Sequence, residues 1–395
     1  MKLALENIKV LDLSRVLAGP YATMILGDLG ADIIKVEMPV KGDDARHYGP
    51  YLNGESAYFM SLNRNKRSIT LNLKKPKGKE IFLEMVKKVD VLVENFRPGT
   101  MEKLGLGYET LQEVNPKLIY ASISGYGHTG PYRTRPSYDA IVQAMSGLMS
   151  ITGQENGRPT RVGTSIGDIT AGLFAAIGIL AALNARHETG KGQKVDVSML
   201  DCQIAILENA IARYLVTGEV PKPIGNRHPS IVPFESFETS DGEIMVAAGN
   251  DVLWAHLCKA IGREDLIDHE KFKTNPLRSK NYWELRPLIA NEIKKKSTKE
   301  WQEIFDEMGI PNSPINTIDK VLENPQVMAR NMIVEIDHPI AGRTKIPGIP
   351  IKLSLTPGEV RLPSPCLGMH RDEILKELLG YDQETIEELK KEGIF

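Results

Sequence analysis

Short apolar runs separated by amphipathic stretches occur throughout the first half of the chain. Residues 8–13 form an apolar-rich run that predicts a strand. A helical pattern over residues 21–29 ends at Gly30, before a second strand-like run at residues 32–37. Further strands are predicted at residues 68–73, 89–93, 118–124 and 194–198. Because helical stretches such as residues 76–88 separate them, we expect an α/β domain with a parallel sheet and helical crossovers.

The pattern changes after about residue 216. A proline-containing linker precedes residues 234–238 and 243–248, which flank Ser240-Asp241-Gly242 and predict a hairpin. Helical segments follow, and the chain ends in strand-like runs and helices beginning at Arg371 and Gln383. We therefore expect an N-terminal α/β region at residues 1–215, a linker with a small α+β domain at 216–325, and a C-terminal segment at 326–395.

Composition limits the class of protein. A chain of 395 residues is long enough for two domains. The 49 basic and 51 acidic residues give a net charge of -2, which argues against nucleic acid as a partner. Three widely spaced cysteines form neither a disulfide framework nor a zinc pattern, which favours a reducing compartment. The first ten residues do not resemble a signal peptide, and the apolar run 169–183 is short for a membrane span. We expect a soluble, cytoplasmic protein.

Two sequence motifs suggest chemistry that their surroundings contradict. The run Gly125-Tyr126-Gly127-His128-Thr129-Gly130 fits the dinucleotide fingerprint, but Pro131 follows where a helix would have to open. The run Gly163-Thr164-Ser165-Ile166-Gly167 fits a hydrolase nucleophile elbow. That motif needs a central strand before it, and Pro159 removes a backbone donor from the segment that would have to form this strand. No metal-binding or phosphate-loop pattern is present. We predict a long turn for the first motif, and the second motif does not favour a serine hydrolase.

Asp168 stands where a nearly all-apolar helix is predicted to begin. One interpretation is a helix N-cap, whose carboxylate accepts backbone N–H groups of the first turn. The other is a carboxylate exposed in a cleft, with Gly163 and Gly167 leaving room for a bulky substrate. In that case the positive end of the helix would keep Asp168 ionised, and the carboxylate would attack a thioester to give a mixed anhydride.

Ordered motifs along nearly the whole chain resemble the class III CoA-transferase family, which includes formyl-CoA transferase, carnitine CoA-transferase and α-methylacyl-CoA racemase. The matching runs are Val10-Leu11-Asp12-Leu13-Ser14-Arg15, Leu29-Gly30-Ala31-Asp32, Asn65-Lys66-Arg67-Ser68, Glu94-Asn95-Phe96-Arg97-Pro98-Gly99, Ser124-Gly125-Tyr126-Gly127, Tyr138-Asp139, Gly167-Asp168 and Thr189-Gly190-Lys191-Gly192-Gln193. The resemblance implies an enzyme that moves CoA from an acyl-CoA to a free carboxylic acid, without a permanently bound cofactor or metal.

The resemblance also implies roles for particular residues. Asp168 would form an aspartyl anhydride and then an aspartyl-CoA thioester, while Tyr138 and Asp139 would orient the substrates. CoA would be bound by Val16, Leu71, Asn95, Phe96, Arg97 and Lys103. Each basic residue can alternatively be a solvated surface charge, and Tyr138 a structural tyrosine. Leu17 and Met38 replace a glutamine and an arginine of some members, and the glycine-only loop of formyl-CoA transferase is missing, so formyl-CoA and oxalate are not implied as substrates.

Two alternatives are considered within the same fold. A racemase needs two acid/base groups around the α-carbon and has a histidine where this chain has Tyr138. His128 lies ten residues too early to replace it. The other alternative is a non-catalytic CoA-binding protein. The family fold implies an open Rossmann-like domain built from both chain ends, a smaller domain joined by long linkers, and an interlocked homodimer that binds neither nucleic acid nor membrane.

Overall fold

The computed structural model describes residues 2–395. Its strands, in chain order, are β1 (Lys9–Asp12), β2 (Asp32–Glu37), β3 (Tyr51–Leu52), β4 (Glu55–Ser56), β5 (Lys66–Thr70), β6 (Val91–Glu94), β7 (Ile119–Ser124), β8 (Lys194–Ser198), β9 (Phe234–Glu238), β10 (Glu243–Ala247), β11 (Asn312–Pro314), β12 (Ile333–His338) and β13 (Gly342–Pro347).

The α-helices are α1 (Ala18–Asp28), α2 (Ala57–Leu62), α3 (Pro76–Val86), α4 (Thr100–Lys103), α5 (Tyr108–Val114), α6 (Asp139–Ser146), α7 (Leu148–Ile151), α8 (Ile166–Thr189), α9 (Met199–Ile206), α10 (Asn209–Thr217), α11 (Asp251–Ala260), α12 (Asn275–Lys280), α13 (Tyr282–Ile293), α14 (Thr298–Glu307), α15 (Ile318–Glu323), α16 (Pro325–Ala329), α17 (Arg371–Ile374) and α18 (Gln383–Lys391). Short 3₁₀ turns occur at Asp44–His47 and Glu264–Leu266, and a π-helical turn at Leu375–Leu379.

The six strands predicted in the first half form one sheet in the order β5-β2-β1-β6-β7-β8. Every neighbouring pair in it is parallel. The predicted α/β class with a parallel sheet is therefore confirmed. The chain order reverses between β1 and β6, as in doubly wound sheets, where ligands bind beyond the carboxyl ends of the strands at that switch point. Residues 13–17 and 95–99 follow β1 and β6 and lie there.

Alternate residues of the central strands point to two separate cores. Leu11, Ile34, Leu92 and Tyr120 lie on one face, in a cluster with α3, α5 and the C-terminal helices. Their sequence neighbours Val10, Ile33, Val91 and Ile119 lie on the other face, with α1 and α8. Strands buried on both faces read as continuous apolar runs, which is why the sequence pattern predicts them well.

Helix α8 begins three residues before the predicted start at residue 169 and continues to Thr189. It is long and apolar enough to cross a membrane, but half of its most apolar window is buried. Ala171, Ala175 and Ile179 belong to the core beneath the sheet. A side chain at Gly172 would meet the carbonyl oxygen of Ala18 at 2.7 Å, so glycine is what permits close packing on α1. The buried face of this helix is part of the core of the larger unit.

Two compact units divide the chain. The larger comprises residues 2–148, 161–218 and 325–395, and the smaller comprises residues 149–160 and 219–324. Residues 149–160 belong to the smaller unit, whereas the sequence analysis places them within 1–215. The physical reason is that residues 149–160 bond to a distant segment of the smaller unit. The Gly225 N–H donates to the carbonyl oxygen of Gly153 at 3.0 Å, and the guanidinium of Arg227 lies 3.6 Å from the Glu155 carboxylate.

The smaller unit has its own core. Strands β9 and β10 form the predicted antiparallel hairpin, and β11 extends it to three strands. The helices α11, α13 and α14 contribute apolar side chains such as Trp254, Ile289 and Trp301 to one buried cluster. In the larger unit, β12 and β13 form a separate antiparallel ribbon, which accounts for the strand-like runs expected before the C-terminal helices.

Candidate active site

A cavity of about 210 Å³ opens at the switch point of the sheet in the larger unit. We call it the Asp168 cavity. Its walls are formed by Arg15, Val16, Leu17, Ala18, Asp44, Asn95, Phe96, Arg97, Pro98, Ile123, Ser124, Gly125, Arg133, Arg135, Ser137, Tyr138, Asp168 and Met199. The loops after β1, β6 and β7 thus meet the first turn of α8, which agrees with the place where open parallel sheets bind ligands.

A second cavity of about 450 Å³, the Leu71 cavity, lies beside the first. Its walls are formed by Leu13, Ser14, Arg15, Lys35, Val36, Glu37, Met38, Pro39, Gly42, Asp43, Leu71, Asn72, Leu73, Lys74, Phe96, Thr100 and Leu104. Arg15 and Phe96 line both cavities, and the Arg15 guanidinium lies 5.1 Å from the centre of the Phe96 ring. The two cavities therefore adjoin and suit an extended ligand.

Asp168 is the third residue of α8, not its N-cap. The cap position is Ser165, and no side chain caps this helix end. The Asp168 carboxylate is partly buried and receives no hydrogen bond from any side chain or backbone group of residues 2–395. Burial, and after it the charge of Asp139, raises the pKa of Asp168 to about 7. The helix end was expected to keep this group ionised; burial without hydrogen bonds, and after it the charge of Asp139, shift the pKa of Asp168 in the opposite direction.

Asp139 is buried and anchors the start of α8 from another helix. Its Oδ1 accepts the Gly167 N–H at 2.8 Å, and its Oδ2 accepts the Gln143 amide at 2.8 Å. A Cβ at Gly167 would come within 2.9 Å of Asp139 Oδ1 and 2.8 Å of Gln203 Nε2, so glycine is required for this contact. Asp139 thus fixes the backbone next to Asp168 and does not itself line the cavity.

Comparison with known proteins agrees with this geometry. The profile of CoA-transferase family III matches residues 5–371. The chain belongs to CoA-transferase family III. A succinyl-CoA:glutarate CoA-transferase of Homo sapiens is 45% identical over 391 residues, covering 99% of this chain and 89% of that protein. An acetyl-CoA:oxalate CoA-transferase of Acetobacter aceti is 45% identical over 350 residues, covering 88% of this chain and 89% of that protein.

A solved structure has the same architecture. The crystal structure of a CAIB/BAIF family protein from Brucella suis matches with a TM-score of 0.85 and 39% sequence identity, covering 96% of this chain and all of that one. The resemblance inferred from the ordered motifs is therefore confirmed over the full chain. This protein is a class III CoA-transferase, an enzyme that acts on acyl-CoA.

The structure brings most of the predicted CoA-binding residues of this CoA-transferase together. Val16, Asn95, Phe96 and Arg97 line the Asp168 cavity, and Leu71 lines the adjoining one. Lys103 is exposed on α4 and lines neither cavity. The two noted departures also lie at the site: Leu17 lines the Asp168 cavity, and Met38 lines the Leu71 cavity with about half of its surface exposed.

Tyr58 is a neighbour of Asp168 that sequence reasoning missed. It lies on α2, and its ring meets Tyr48 edge to face at 5.7 Å. Burial raises the pKa of Tyr58 to about 12, with the charge of Asp168 as the next cause. The phenol of Tyr58 is thus within electrostatic reach of the Asp168 carboxylate. No local pattern marks it, because α2 reads as an ordinary half-buried helix.

Arg133 and Arg135 were also missed, although both line the Asp168 cavity. They lie in the turn between β7 and α6, which the sequence analysis treated only as evidence against a dinucleotide site. The structure confirms that no helix opens at Gly130 and that no strand precedes Ser165. Their spacing of two residues, beside Tyr138, was the available signal for an anion-binding role. Residues 2–395 contain no group of three or more metal-ligating side chains placed to hold a metal ion.

Proposed function

We propose that this enzyme transfers CoA from succinyl-CoA, or a similar acyl-CoA, to a dicarboxylic acid through covalent intermediates on Asp168. The observation that supports it best is a carboxylate that lies on the wall of a cavity and is bound by no hydrogen bond of the described residues. A carboxylate that is neither paired nor solvated on all sides is a stronger base and nucleophile.

The reaction proceeds through four balanced steps. The Asp168 carboxylate attacks the thioester carbonyl of the donor, the C–S bond breaks, and an aspartyl anhydride and a CoA thiolate form. The thiolate then attacks the aspartyl carbonyl and expels the donor acid as a carboxylate. The acceptor carboxylate attacks the resulting aspartyl-CoA thioester and releases the thiolate again. The thiolate finally attacks the acceptor carbonyl of the new anhydride, which regenerates the Asp168 carboxylate.

The two adjoining cavities suit the two ends of CoA. The nucleotide would occupy the Leu71 cavity, where Leu71 and Phe96 offer apolar and aromatic surface for adenine. The pantetheine arm would pass Arg15 and Val16 toward Asp168, with Asn95 and Arg97 beside it. Lys103 stays a proposed phosphate contact at the outer edge. Tyr138, whose surface is 76% exposed, would contact the reacting carboxyl groups, and Asp139 would hold the helix start beneath them.

The charge of the Asp168 cavity supports a dicarboxylic acceptor. Four arginines line it, against the acidic groups Asp44 and Asp168. Arg15 is paired with Asp44 at 3.1 Å. The guanidinium groups of Arg97, Arg133 and Arg135 form no ion pair with the described residues, and none of them is among the causes of the shifted pKa of Asp168. They are thus available for a second carboxylate or for phosphate groups of CoA.

The racemase alternative lacks a histidine base at the cavity. The imidazole of His128 is mostly buried, its Nδ1 lies 3.0 Å from Lys194 Nζ, and its backbone N–H donates to Asp196. His128 does not line the Asp168 cavity. A racemase would place solvent deuterium at the α-carbon of a 2-methylacyl-CoA, and we expect no such exchange.

We further propose a cytoplasmic, interlocked homodimer. Leu173, Phe174 and Ile177 of α8 are 40% to 60% exposed, although this helix is otherwise a core element. Leu215 and Val216 of α10 are more exposed still. Such apolar surface is expected to be covered in an oligomer. Mixing tagged and untagged protein under native conditions should give no hybrid dimers, and rapid hybrid formation would contradict interlocking.

The function is tested by trapping and by acceptor choice. With succinyl-CoA present, hydroxylamine should convert the thioester on Asp168 into a hydroxamate that mass spectrometry locates on its peptide. Succinyl-CoA with glutarate should give glutaryl-CoA, and the matched monocarboxylate valerate should be a poor acceptor. Modification of another residue, or transfer to valerate and glutarate at equal rates, would contradict the nucleophile or the acceptor class respectively.

A further inference from the structure

The loop between β1 and α1 contains a strained residue at the wall of the Asp168 cavity. Val16 has a φ of 66°, in the left-handed region that β-branched residues rarely adopt. Val16 lines the cavity, and so does the next residue, Leu17. The shape of this wall therefore depends on a backbone conformation that Val16 does not prefer by itself.

Side chains from three other segments hold this loop. The Val16 N–H donates to Asp43 Oδ1 at 3.0 Å, and Lys35 Nζ donates to the Ser14 carbonyl oxygen at 2.9 Å. Between them, the Arg15 N–H donates to Asn95 Oδ1 at 2.8 Å, and the Asn95 amide returns a bond to the Arg15 carbonyl oxygen at 2.7 Å. A strained conformation persists only where its surroundings specify it this completely.

The two outer contacts come from one buried ion pair. Lys35 Nζ lies 2.9 Å from Asp43 Oδ2, and both side chains have almost no exposed surface. Asp43 also accepts the Ala45 N–H at 2.9 Å, which ties the pair to the next loop. A buried pair of this kind contributes little net stability compared with apolar packing, so its retention calls for another reason.

We propose that Lys35 and Asp43 are positioning residues for CoA transfer, which hold Ser14 and Val16 in the one backbone conformation that forms the acyl-CoA side of the Asp168 cavity. The inference rests on the proposed function, because it assigns the cavity to acyl-CoA. Neither residue touches the reacting atoms; each acts through the loop.

The test uses two substitutions that separate the hydrogen bond from the charge. Asp43→Asn keeps an oxygen that can accept the Val16 N–H but loses the ion pair, and Asp43→Ala loses both. We expect Asp43→Ala to raise the KM for succinyl-CoA by about tenfold or more, and Asp43→Asn to raise it less. The matched control is Asp28→Asn, which breaks the buried pair of Asp28 with Arg64 in the same unit, 2.7 Å apart. It should lower the melting temperature and leave this KM within about twofold.

A substitution of Val16 itself distinguishes a positioning role of Asp43 from general damage to the fold. Glycine adopts a φ of 66° without strain. Each Asp43 substitution should therefore raise the KM by a smaller factor in the Val16→Gly background than in the wild-type background. The same double-mutant cycle with Asp28→Asn should show no coupling. A KM within twofold of the wild type in Asp43→Ala, or no coupling to Val16→Gly, would overturn the inference. If Asp43→Ala does not fold, Asp43→Asn with and without Val16→Gly decides the question.

Binding of free CoA, measured by calorimetry, separates this inference from the proposed function. If the wild type transfers no CoA, the proposed function fails, and the coupling between Asp43 and Val16 is still read from the dissociation constants for CoA. If transfer occurs and hydroxylamine traps Asp168 while the Asp43 variants bind and turn over normally, only the positioning inference fails.

Discussion

Two aspartates of the larger unit have opposite electrostatic surroundings. Asp12, at the end of β1, is fully buried, its Oδ2 lies 2.9 Å from Lys66 Nζ, and it accepts hydrogen bonds from Thr23 and Ser14. Burial alone would raise the pKa of Asp12, but the ammonium groups of Lys66 and Lys35 outweigh burial and hold it far below its ordinary value. Asp168, at the start of α8, has no such partners, and its pKa rises to about 7.

The difference separates a structural carboxylate from the one that we propose to be reactive. Cations and hydrogen bonds stabilise the charge of Asp12 and remove its tendency to attack an electrophile. At Asp168 burial is combined with an acidic neighbour and no donors, so the charged form is unstable and reactive. The proposed site thus leaves the Asp168 carboxylate unpaired, whereas Asp12 is paired with Lys66.

The largest effect is expected from Asp168→Asn. It should reduce CoA transfer by roughly 10³-fold or more, because no anhydride can form. The folded protein should be at least as stable as the wild type at pH 8, because an unpaired buried charge is removed. Initial rates and urea unfolding measure the two effects. Transfer within tenfold of the wild type by the folded variant would show that Asp168 is not the nucleophile.

Asp12→Asn should affect stability instead of chemistry. It leaves Lys66 buried without its counter-charge, and we expect the free energy of unfolding to fall by about 3–5 kcal/mol. The exposed pair of Lys77 and Glu80, 3.1 Å apart, supplies the control: Glu80→Gln should change stability by about 0.5 kcal/mol or less. Equal effects of the two substitutions in urea titrations would remove the distinction between paired and unpaired carboxylates.

The raised pKa of Asp168 predicts a pH profile. Since only the ionised form attacks, kcat/KM for succinyl-CoA should rise about tenfold per pH unit below 7 and level off above it. Asp139→Asn removes the acidic neighbour and should shift the midpoint to lower pH.

The same shift predicts a pH dependence of stability. Because the folded pKa of Asp168 lies above the ordinary value of 3.8, protonated Asp168 favours folding, and this contribution is lost as the pH rises from about 4 through 7. Asp168→Asn should flatten this decline of the free energy of unfolding. A kcat/KM profile of the wild type without a step near pH 7 would contradict the raised pKa of Asp168.

The smallest effect is expected from Arg133→Ala, which tests the cations that surround Asp168 without pairing with it. The KM for glutarate should rise about three- to tenfold, through loss of a charge-assisted contact, while the KM for succinyl-CoA stays nearly constant. Arg371→Ala is the matched control, because Arg371 is a half-buried arginine of α17 that pairs with Asp372 and lines neither cavity. If Arg133→Ala raises the KM for the CoA substrate and not for glutarate, the arginine binds a phosphate instead of the acceptor.

The sequence predicted the α/β class, the six strands of the sheet, the hairpin and the family. These features are local or repeated. Strands buried on two faces give continuous apolar runs, and the family motifs consist of residues that are adjacent in the sequence. Asp168 could be singled out because Gly167 and a long apolar helix frame it. Arg133 and Arg135 could not, because they meet the other segments of the Asp168 cavity only in the folded chain. Tyr58 could not, because it approaches Asp168 from a helix far away in the chain.

Only the tertiary structure determined the chemical state of the candidate nucleophile. The sequence places Asp168 at a helix start, where the dipole alone would lower its pKa. The fold brings Asp139 from 29 positions earlier to bind the neighbouring Gly167 N–H and leaves the carboxylate without a donor. Likewise, Val16 reads as an ordinary loop residue, and its left-handed conformation exists because Asp43 and Asn95 hold the loop from elsewhere. Local order follows from neighbouring residues, whereas charge and strain follow from contacts between distant ones.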